Sequence, residues 1–138
     1  RQMCIRDSFR REIAKEQERG ERYGQPYALV FIDVDHFKHL NDKLGHPAGD
    51  EALRSLADVI RKQIRNTDLL ARYGGEEFVI LCPGVNWEGA QVLAERIRAA
   101  VERAPIPGGR QQPGGKLTVS LGLASFPADG RTADEVLK

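Results

Sequence analysis

Four acidic side chains fall at two places where the chain is expected to turn. Asp33 and Asp35 end an apolar stretch, and Glu76 and Glu77 follow two glycines in the segment RYGGEEF. Carboxylates about 4 Å apart repel by roughly 4 kcal/mol at an effective dielectric of about 20, so a cluster of them requires protonation or a cation. Magnesium takes oxygen ligands and is commonly held by one or two carboxylates together with substrate phosphates. If the two segments are neighbours, they predict a magnesium site for a nucleoside triphosphate.

The glycine pair suits such a site, but each motif also has a simpler explanation. Gly74 and Gly75 lack a Cβ atom, which lets the backbone turn sharply and lets a bulky ligand come close. An acid after a strand is nonetheless often a helix cap or a loop residue, and a Gly-Gly turn with acids is often only solvated. The combination of the two motifs, rather than either alone, favours a functional site.

The strands that position these residues follow from the apolar runs. The near-continuous run at 26–35 predicts a strand buried on both faces. LLARY and FVILCP, on either side of the glycine pair, predict a β-hairpin that can lie beside that strand. A further strand is predicted at 116–126. Strands and helices alternate around one mixed sheet, so the predicted fold class is α/β.

Helical spacing of apolar residues predicts the remaining elements. Residues 9–22 predict a charged helix with little apolar face, which leans on a neighbour. Residues 49–64 and 87–104 predict two amphipathic helices, the second capped by Asn86, and 132–138 predicts the start of another helix. The expected core residues of the two amphipathic helices are Leu53, Leu56, Ile60, Ile64, Trp87, Leu93, Ile97 and Val101.

Composition bounds the class of protein. The chain has 138 residues, 41% of them apolar, which suits one globular domain. The net charge is +1, so no broad field is expected to attract nucleic acid or a membrane surface. No apolar run approaches the roughly 20 residues of a membrane span, and no secretion signal is recognised. We therefore expect a cytoplasmic domain, although other regions of a longer protein can carry a membrane anchor.

Several other patterns predict no site. His36, His39 and His46 lack the spacing of a zinc cluster. The segment RQQPGGKL resembles a phosphate-binding P-loop, but it lacks the first glycine and the Ser or Thr after its lysine, and it leads into a strand. It therefore predicts a loop. Cys4 and Cys82 have no metal-ligand spacing and are expected to be free thiols.

The first eight residues, RQMCIRDS, do not fit the pattern that follows them. They match the translation of a transposon-end sequencing adapter, so we expect residues 1–8 to be non-native. The domain is then expected to span residues 9–138 and to be a fragment that is incomplete at both ends. A fragment of this kind is expected to be poorly stable and to have weak enzymatic activity or none.

Three segments together carry a family resemblance. FIDVDHFKHLNDKLGHPAGDEAL, RNTDLLARYGGEEF and TVSLGLASF occur in the order and spacing of GGDEF domains. The chain therefore resembles this family of diguanylate cyclases, which join two GTP molecules into cyclic di-GMP. The resemblance implies a mixed, mainly antiparallel five-stranded sheet surrounded by helices, of the nucleotidyl cyclase and polymerase-palm (ferredoxin-like) type. The family's C-terminal segment and closing strand have no counterpart in this sequence.

The resemblance also implies roles for the acidic residues. Asp33, Glu77 and the carbonyl group of Val34 are implied as ligands of Mg²⁺, with Mn²⁺ as an alternative ion. Glu76 is implied to help deprotonate the GTP 3′-hydroxyl group, at a position where the family more commonly has aspartate. The carboxylate chemistry is therefore kept.

Nucleotide contacts are implied in the same way. Asn41 offers an amide and Asp50 an acceptor for the guanine edge, while backbone amides and a lysine approach the phosphates. The implied GTP-binding residues are Asn41, Asp50, Phe37, Lys38, Gly74 and Gly75.

Two domains are required to complete the implied reaction, because one domain holds one GTP and the attacking 3′-hydroxyl comes from the other. The resemblance therefore implies a homodimer, usually imposed by an upstream sensory or receiver domain. It also implies an inhibitory site for cyclic di-GMP at the RxxD motif, formed by Arg65 and Asp68, with Arg96 as a second arginine.

Two alternatives stay open at this point. A catalytically inactive GGDEF domain can serve as a receptor for GTP or cyclic di-GMP, or as a dimerisation module. The intact GGEEF signature, Asp33, Asn41 and Asp50 argue against this alternative, because a pure receptor can lose its metal ligands without penalty. A cyclase for another cyclic dinucleotide is disfavoured by Asn41 and Asp50, which match the guanine-reading positions.

Overall fold

The computed structural model describes the backbone of residues 2–127 and the side chains of residues 7–127. The helices are α1 Gln2–Tyr23, α2 Phe37–Leu44, α3 His46–Arg61 and α4 Trp87–Arg103, and the strands are β1 Tyr27–Val34, β2 Leu69–Arg72, β3 Glu77–Pro83 and β4 Val119–Phe126. The helix predicted at 132–138 lies outside the described residues.

The four strands form one sheet in the order β2-β3-β1-β4, and every pairing in the described part of the chain is antiparallel. The predicted strand at 26–35, the β-hairpin and the predicted strand at 116–126 are confirmed. Asp33 of β1 lies opposite Glu77 of β3, so the two acidic segments are neighbours as predicted. The α/β class and the mainly antiparallel sheet are confirmed, and residues 2–127 contribute four strands to it.

One face of the sheet is covered by α2, α3 and α4. Most of the predicted helix core is buried there, namely Leu53, Leu56, Ile60, Leu93, Ile97 and Val101. Two core predictions hold only in part. Ile64 lies in the turn beyond the end of α3 and is half-buried, packed against the core, and Trp87 is the half-buried first residue of α4. The predicted cap is confirmed, because Asn86 Oδ1 accepts a hydrogen bond from the N–H group of Gly89 at 2.9 Å.

The opposite face of the sheet is covered in part by α1. This helix is mostly charged, but Phe9 and Ile13 are buried against the sheet. Gln17 Oε1 accepts a hydrogen bond from the Tyr27 hydroxyl group at 2.8 Å. The predicted helix is therefore held against the sheet by three side chains at helical spacing, Phe9, Ile13 and Gln17. The described part of α1 begins at Gln2 and has no break at Ser8, and the non-native origin of residues 1–8 stays a prediction.

Two features were missing from the sequence prediction. Helix α2 was not predicted, because its eight residues contain only two buried apolar side chains, Phe37 and Leu40. The predicted loop at 105–115 contains two short 3₁₀ turns, and Ile106 and Leu117 anchor it in the core. None of the described helices is long and apolar enough to cross a membrane.

We predict that Ile13→Ala lowers the free energy of unfolding by about 2–5 kcal/mol, because it leaves a cavity under α1. The control is Val92→Ala, which truncates a side chain that is 65% exposed on α4 and is expected to change stability by about 0.5 kcal/mol or less. Urea denaturation followed by circular dichroism measures both. Equal effects of the two substitutions would contradict the docking of α1 on the sheet.

Candidate active site

The acidic residues of the two motifs meet at one end of the sheet. Asp33 is the last residue but one of β1, and it faces Glu77 of β3 on one side and Ser120 of β4 on the other. Side chains opposite each other in an antiparallel pair lie on the same face, about 5 Å apart at Cβ. The register of the sheet therefore brings the Asp33 and Glu77 side chains together, and both are exposed to solvent.

Glu76 joins this pair from the hairpin turn. Its backbone carbonyl accepts a hydrogen bond from the Val34 N–H group at 3.2 Å, which fixes the turn against β1. Partial burial raises the pKa of the Glu76 carboxyl group above its usual value. The charge of Asp33, a hydrogen bond shared with Asp33, and the charge of Glu77 raise this pKa further. Three carboxylates therefore share one electrostatic site.

Asp35 does not join the other three carboxylates. Its side chain accepts hydrogen bonds from Thr118 Oγ1 at 2.7 Å and from Ser120 Oγ at 2.6 Å. These contacts hold Asp35 toward the start of β4. The converging acids are therefore three, Asp33, Glu76 and Glu77, and Asp35 has a structural role that the sequence did not indicate.

The residue types at this site fit a hard divalent cation, because the converging groups are carboxylate oxygens whose repulsion a cation relieves. Within residues 7–127, however, no three His, Cys, Asp or Glu side chains are already arranged to coordinate an ion. The site thus has the charge for a cation, and its side chains would have to adjust around one.

The two glycines of the signature have different reasons to lack a side chain. A Cβ atom at Gly74 would overlap the Glu77 carboxylate, whereas one at Gly75 would meet open space. Neither glycine has a positive φ, so the expectation that the turn itself needs them is wrong. Gly74 makes room for Glu77, and Gly75 leaves the surface beside the acids open.

Arg72 holds the hairpin turn, a role that the sequence did not reveal. Its guanidinium group donates hydrogen bonds to the carbonyl of Gly75 at 2.6 Å and to that of Gly74 at 3.3 Å. These carbonyls belong to the turn that carries Glu76 and Glu77. The only sequence signal is the position of an arginine directly before the turn, and the same pattern fits a solvated side chain equally well.

Asn41 and Asp50 lie on the adjacent helices α2 and α3. In the described structure, Asn41 Oδ1 is buried and has no hydrogen-bond partner. The two helices are so close here that a Cβ atom at Gly49 would overlap Asn41 Oδ1. A buried acceptor without a donor costs free energy, and a bound group with N–H donors would satisfy it. Asp50 is exposed in the first part of α3.

Phe37 and Lys38 are the first two residues of α2. The first-turn N–H groups of a helix have no acceptor within the helix and favour anions, so the backbone of these two residues suits a phosphate group. The Phe37 side chain is buried beneath α2, and the Lys38 side chain is exposed. The start of α2 follows directly on the end of β1, which carries Asp33.

The predicted RxxD residues are in contact with one another. The Arg65 guanidinium group donates hydrogen bonds to Asp68 Oδ1 and to the Pro83 carbonyl, each at 2.8 Å, and the hydrogen bond to Asp68 raises the pKa of Arg65. Arg96 of α4 donates a hydrogen bond to the Gln63 carbonyl at 2.6 Å, so it contacts the loop that leads to Arg65. Pro83 and Glu77 lie at opposite ends of β3, which spans about 20 Å. The RxxD cluster is therefore separate from the acidic site.

Comparison with known proteins identifies the class of this chain. The family model described as diguanylate cyclase, GGDEF domain, matches residues 2–138. The chain belongs to the GGDEF domain family.

Relatives and solved structures agree with this assignment. The chain is 38% identical over 132 residues to the diguanylate cyclase DgcP of Pseudomonas aeruginosa, covering 96% of this chain and 19% of DgcP. It is 32% identical over 133 residues to the cyclic di-GMP phosphodiesterase NbdA of the same organism, covering 96% of this chain and 17% of NbdA. The chain thus spans about a fifth of the length of these relatives.

Among solved structures, the GGDEF domain of YfiN (TpbB) from Pseudomonas aeruginosa superposes with a TM-score of 0.85 and 34% identity, covering 96% of this chain and 81% of that one. The GGDEF domain of DgcB from Caulobacter crescentus, in complex with c-di-GMP, gives a TM-score of 0.80 and 31% identity, covering 96% of this chain and 75% of that one. The fold implied by the resemblance is confirmed.

We predict that Asp33→Asn moves the pKa of Glu76 back toward its usual value, because it removes a like charge from the site. The raised pKa means that protonation of Glu76 favours the folded state. This contribution to stability is complete below the usual glutamate pKa and is lost as the pH rises through the raised value.

Carbon-detected NMR titration of the Glu76 carboxyl group measures the change. Asp58→Asn, at an exposed position that pairs with Arg61 on α3, is the matched control and is expected to leave the Glu76 titration unchanged. A Glu76 titration that is identical in wild type and Asp33→Asn would contradict the convergence of the three acids.

Proposed function

We propose that this chain is the GTP-binding domain of a diguanylate cyclase, which condenses two GTP molecules into cyclic di-GMP and releases two pyrophosphates. The observation that carries this proposal is the convergence of three acids at one end of the sheet, where Asp33 lies opposite Glu77 and the Glu76 carbonyl is hydrogen-bonded to Val34. An acidic cluster without a counter-charge lowers stability. A bound cation, together with the phosphate groups that it holds, would compensate this cost. The family membership and the relatives named diguanylate cyclase support the same reaction.

Asp33, Glu77 and the carbonyl group of Val34 would hold Mg²⁺, or Mn²⁺ in its place. When bound, such an ion neutralises the carboxylates, polarises the α-phosphate and stabilises the leaving pyrophosphate. The register of β1 and β3 supports this assignment, since it sets Asp33 opposite Glu77. Gly74 supports it as well, because its missing side chain lets the Glu77 carboxylate lie against the turn.

Glu76 would accept the proton of the GTP 3′-hydroxyl group. Its carboxylate is a group suited to general-base catalysis, and it lies at the hairpin turn beside Glu77. The hydrogen bond between the Glu76 carbonyl and Val34 holds this residue at the rim of the site. Gly75 leaves open space beside it, which a nucleotide can enter.

The nucleotide would lie between the acidic site and the crossing of α2 and α3. The backbone of Phe37 and Lys38 would bind the phosphates at the start of α2. Asn41 and Asp50 would bind the guanine edge. The unpartnered Asn41 Oδ1 supports this assignment, because the N–H groups of guanine are donors that would satisfy it.

A homodimer would be required, because each domain holds one nucleotide and the 3′-hydroxyl group that attacks it comes from the facing domain. An upstream sensory or receiver domain in a longer, cytoplasmic protein would impose this pairing. Relatives that are about five times longer than the matched region are consistent with such an arrangement.

Cyclic di-GMP would bind at Arg65, Asp68 and Arg96 and inhibit the enzyme. Arginine recognises phosphate and guanine through its planar donor groups, and an acid beside it orients the guanidinium group. The contact of Arg65 with Asp68 and the hydrogen bond from Arg96 of α4 to Gln63 of the same loop support this site. The DgcB domain, which was solved in complex with c-di-GMP, has the same fold.

A second candidate function is a GGDEF domain that binds GTP or cyclic di-GMP without catalysis. The relative NbdA favours it, because a protein named as a phosphodiesterase contains a region that matches nearly all of this chain. The intact acidic site favours the cyclase. Product formation from GTP separates the two.

We predict that Glu77→Gln lowers the rate of cyclic di-GMP formation at least about a hundredfold, because it removes one of the two carboxylates that would hold the cation against the phosphates. The assay uses this chain joined to a dimerising fusion, incubated with GTP and Mg²⁺ and followed by chromatography. Glu102→Gln on α4 is the control and keeps full activity. A dimeric wild type that binds GTP but forms no product would instead support the receptor.

We predict that Arg65→Ala raises the concentration of cyclic di-GMP needed for half-inhibition by about tenfold or more and leaves the initial rate intact, because only the product site loses a charged donor. Arg61→Ala removes an exposed arginine that pairs with Asp58 on α3, and it serves as the matched control. Initial-rate assays with added cyclic di-GMP make the comparison. Unchanged inhibition in Arg65→Ala would remove the RxxD motif from the proposal.

A further inference from the structure

The turn between β1 and α2 is an unusual piece of backbone. His36 adopts φ 57° and ψ 34°, and within residues 2–127 it is the one residue other than glycine in the left-handed region. This conformation is unfavourable for a residue with a Cβ atom and persists only where its surroundings hold it. His36 is the N-cap of α2, but its side chain makes no capping hydrogen bond. Another group must therefore hold the turn.

Gln112 supplies the missing contacts. Its side-chain N–H₂ group donates to the carbonyl of Asp35 at 3.2 Å and to that of His36 at 3.1 Å. Its Oε1 atom lies 3.1 Å from Nδ1 of His39, one turn further along α2. One amide group thus binds two consecutive carbonyls of the turn and one side chain of the helix that follows.

These contacts define the orientation of the amide and the tautomer of the histidine. Two carbonyl groups can only accept, so the N–H₂ end of Gln112 must face them. The Oε1 end then faces His39, and Nδ1 must carry the proton that it donates. Both amide hydrogens of Gln112 are used, and the residue is only 5% exposed.

The segment that carries Gln112 is itself well supported. The Gln112 N–H group donates to the Gly109 carbonyl at 3.0 Å, and its carbonyl accepts from the Gly115 N–H group at 2.8 Å. The loop lies close to α2, because a Cβ atom at Gly108 would meet the side chains of Leu40 and Leu44. Gln112 therefore reaches the turn from a loop already fixed on the same helix.

The turn held by Gln112 leads directly into the backbone of Phe37 and Lys38, which the proposed function assigns to the phosphates of GTP. Donors at an anion site act strongly only when they are fixed in advance. We propose that Gln112 is a positioning residue that fixes the phosphate-binding turn from a separate loop. This inference rests on the proposed function and adds to it a residue outside the signature motifs.

Gln112→Met tests the inference, because methionine keeps the length of the side chain and removes its donors and acceptor. The neighbouring Gln111 is exposed, so Gln111→Met is the matched control. We expect Gln112→Met to raise the dissociation constant of a non-reactive GTP analogue, with an α,β-methylene bridge, by about tenfold. Guanosine, which has no phosphates, is expected to lose less than about threefold, and Gln111→Met to change neither.

A direct readout of the contact accompanies the binding measurement. Nitrogen-15 NMR of the His39 ring is expected to show the proton on Nδ1 in the wild type and to show a shift of the tautomer population in Gln112→Met. The amide resonances of Phe37 and Lys38 are expected to move in the same variant. If Gln112→Met does not fold, Gln112→Glu is measured instead, since a carboxylate keeps the polarity but cannot donate to the two carbonyls.

The outcomes separate this inference from the function on which it rests. Unchanged affinity for the analogue in a folded Gln112 variant overturns the positioning role, and so does an equal loss for the analogue and guanosine. An unchanged His39 tautomer in Gln112→Met, which removes the acceptor, overturns the contact itself. A wild type that binds no analogue while its His39 spectrum responds to Gln112→Met overturns the proposed function, and the inference with it.

Discussion

The pairing of β1 with β3 is the constraint on which the rest of the structure depends. Because side chains alternate along a strand, shifting this register by one residue would move Asp33 to the face covered by α2, α3 and α4. The buried side chains of Val30 and Ile32, packed with Ile80 on that covered face, prevent such a shift. The hydrophobic core therefore determines where the carboxylate of Asp33 lies and which residue it faces.

The unfavourable features of the molecule gather at the same end of the sheet. The raised pKa of Glu76, the unpartnered Oδ1 atom of Asn41 and the left-handed backbone of His36 each cost stability. Unfavourable features that persist in a folded protein cluster at functional sites, where the surrounding structure supports them. Here the two packed faces of the sheet supply that support, and a bound nucleotide with its cation would relieve the first two costs.

Most of the residues that support the site lie far along the chain from the groups that they bind, and Arg72 directly precedes its turn. Arg72 binds the carbonyls of the hairpin turn, Gln112 binds those of the β1–α2 turn, and Thr118 and Ser120 hold Asp35. Each of these side chains hydrogen-bonds a backbone carbonyl or a carboxylate at one of the two turns. The signature motifs thus supply the groups suited to the chemistry, and separate elements orient them.

The sequence by itself determined the class of fold, most strands and helices, the cap at Asn86 and the neighbourhood of Asp33 and Glu77, because apolar periodicity and turn residues act over short distances along the chain. Only the tertiary structure decided the roles of Asp35 and Gln112 and the partial exposure of Trp87. A polar side chain that binds a backbone carbonyl 76 residues away leaves no periodic trace. Its partner exists only once packing has brought the two segments together.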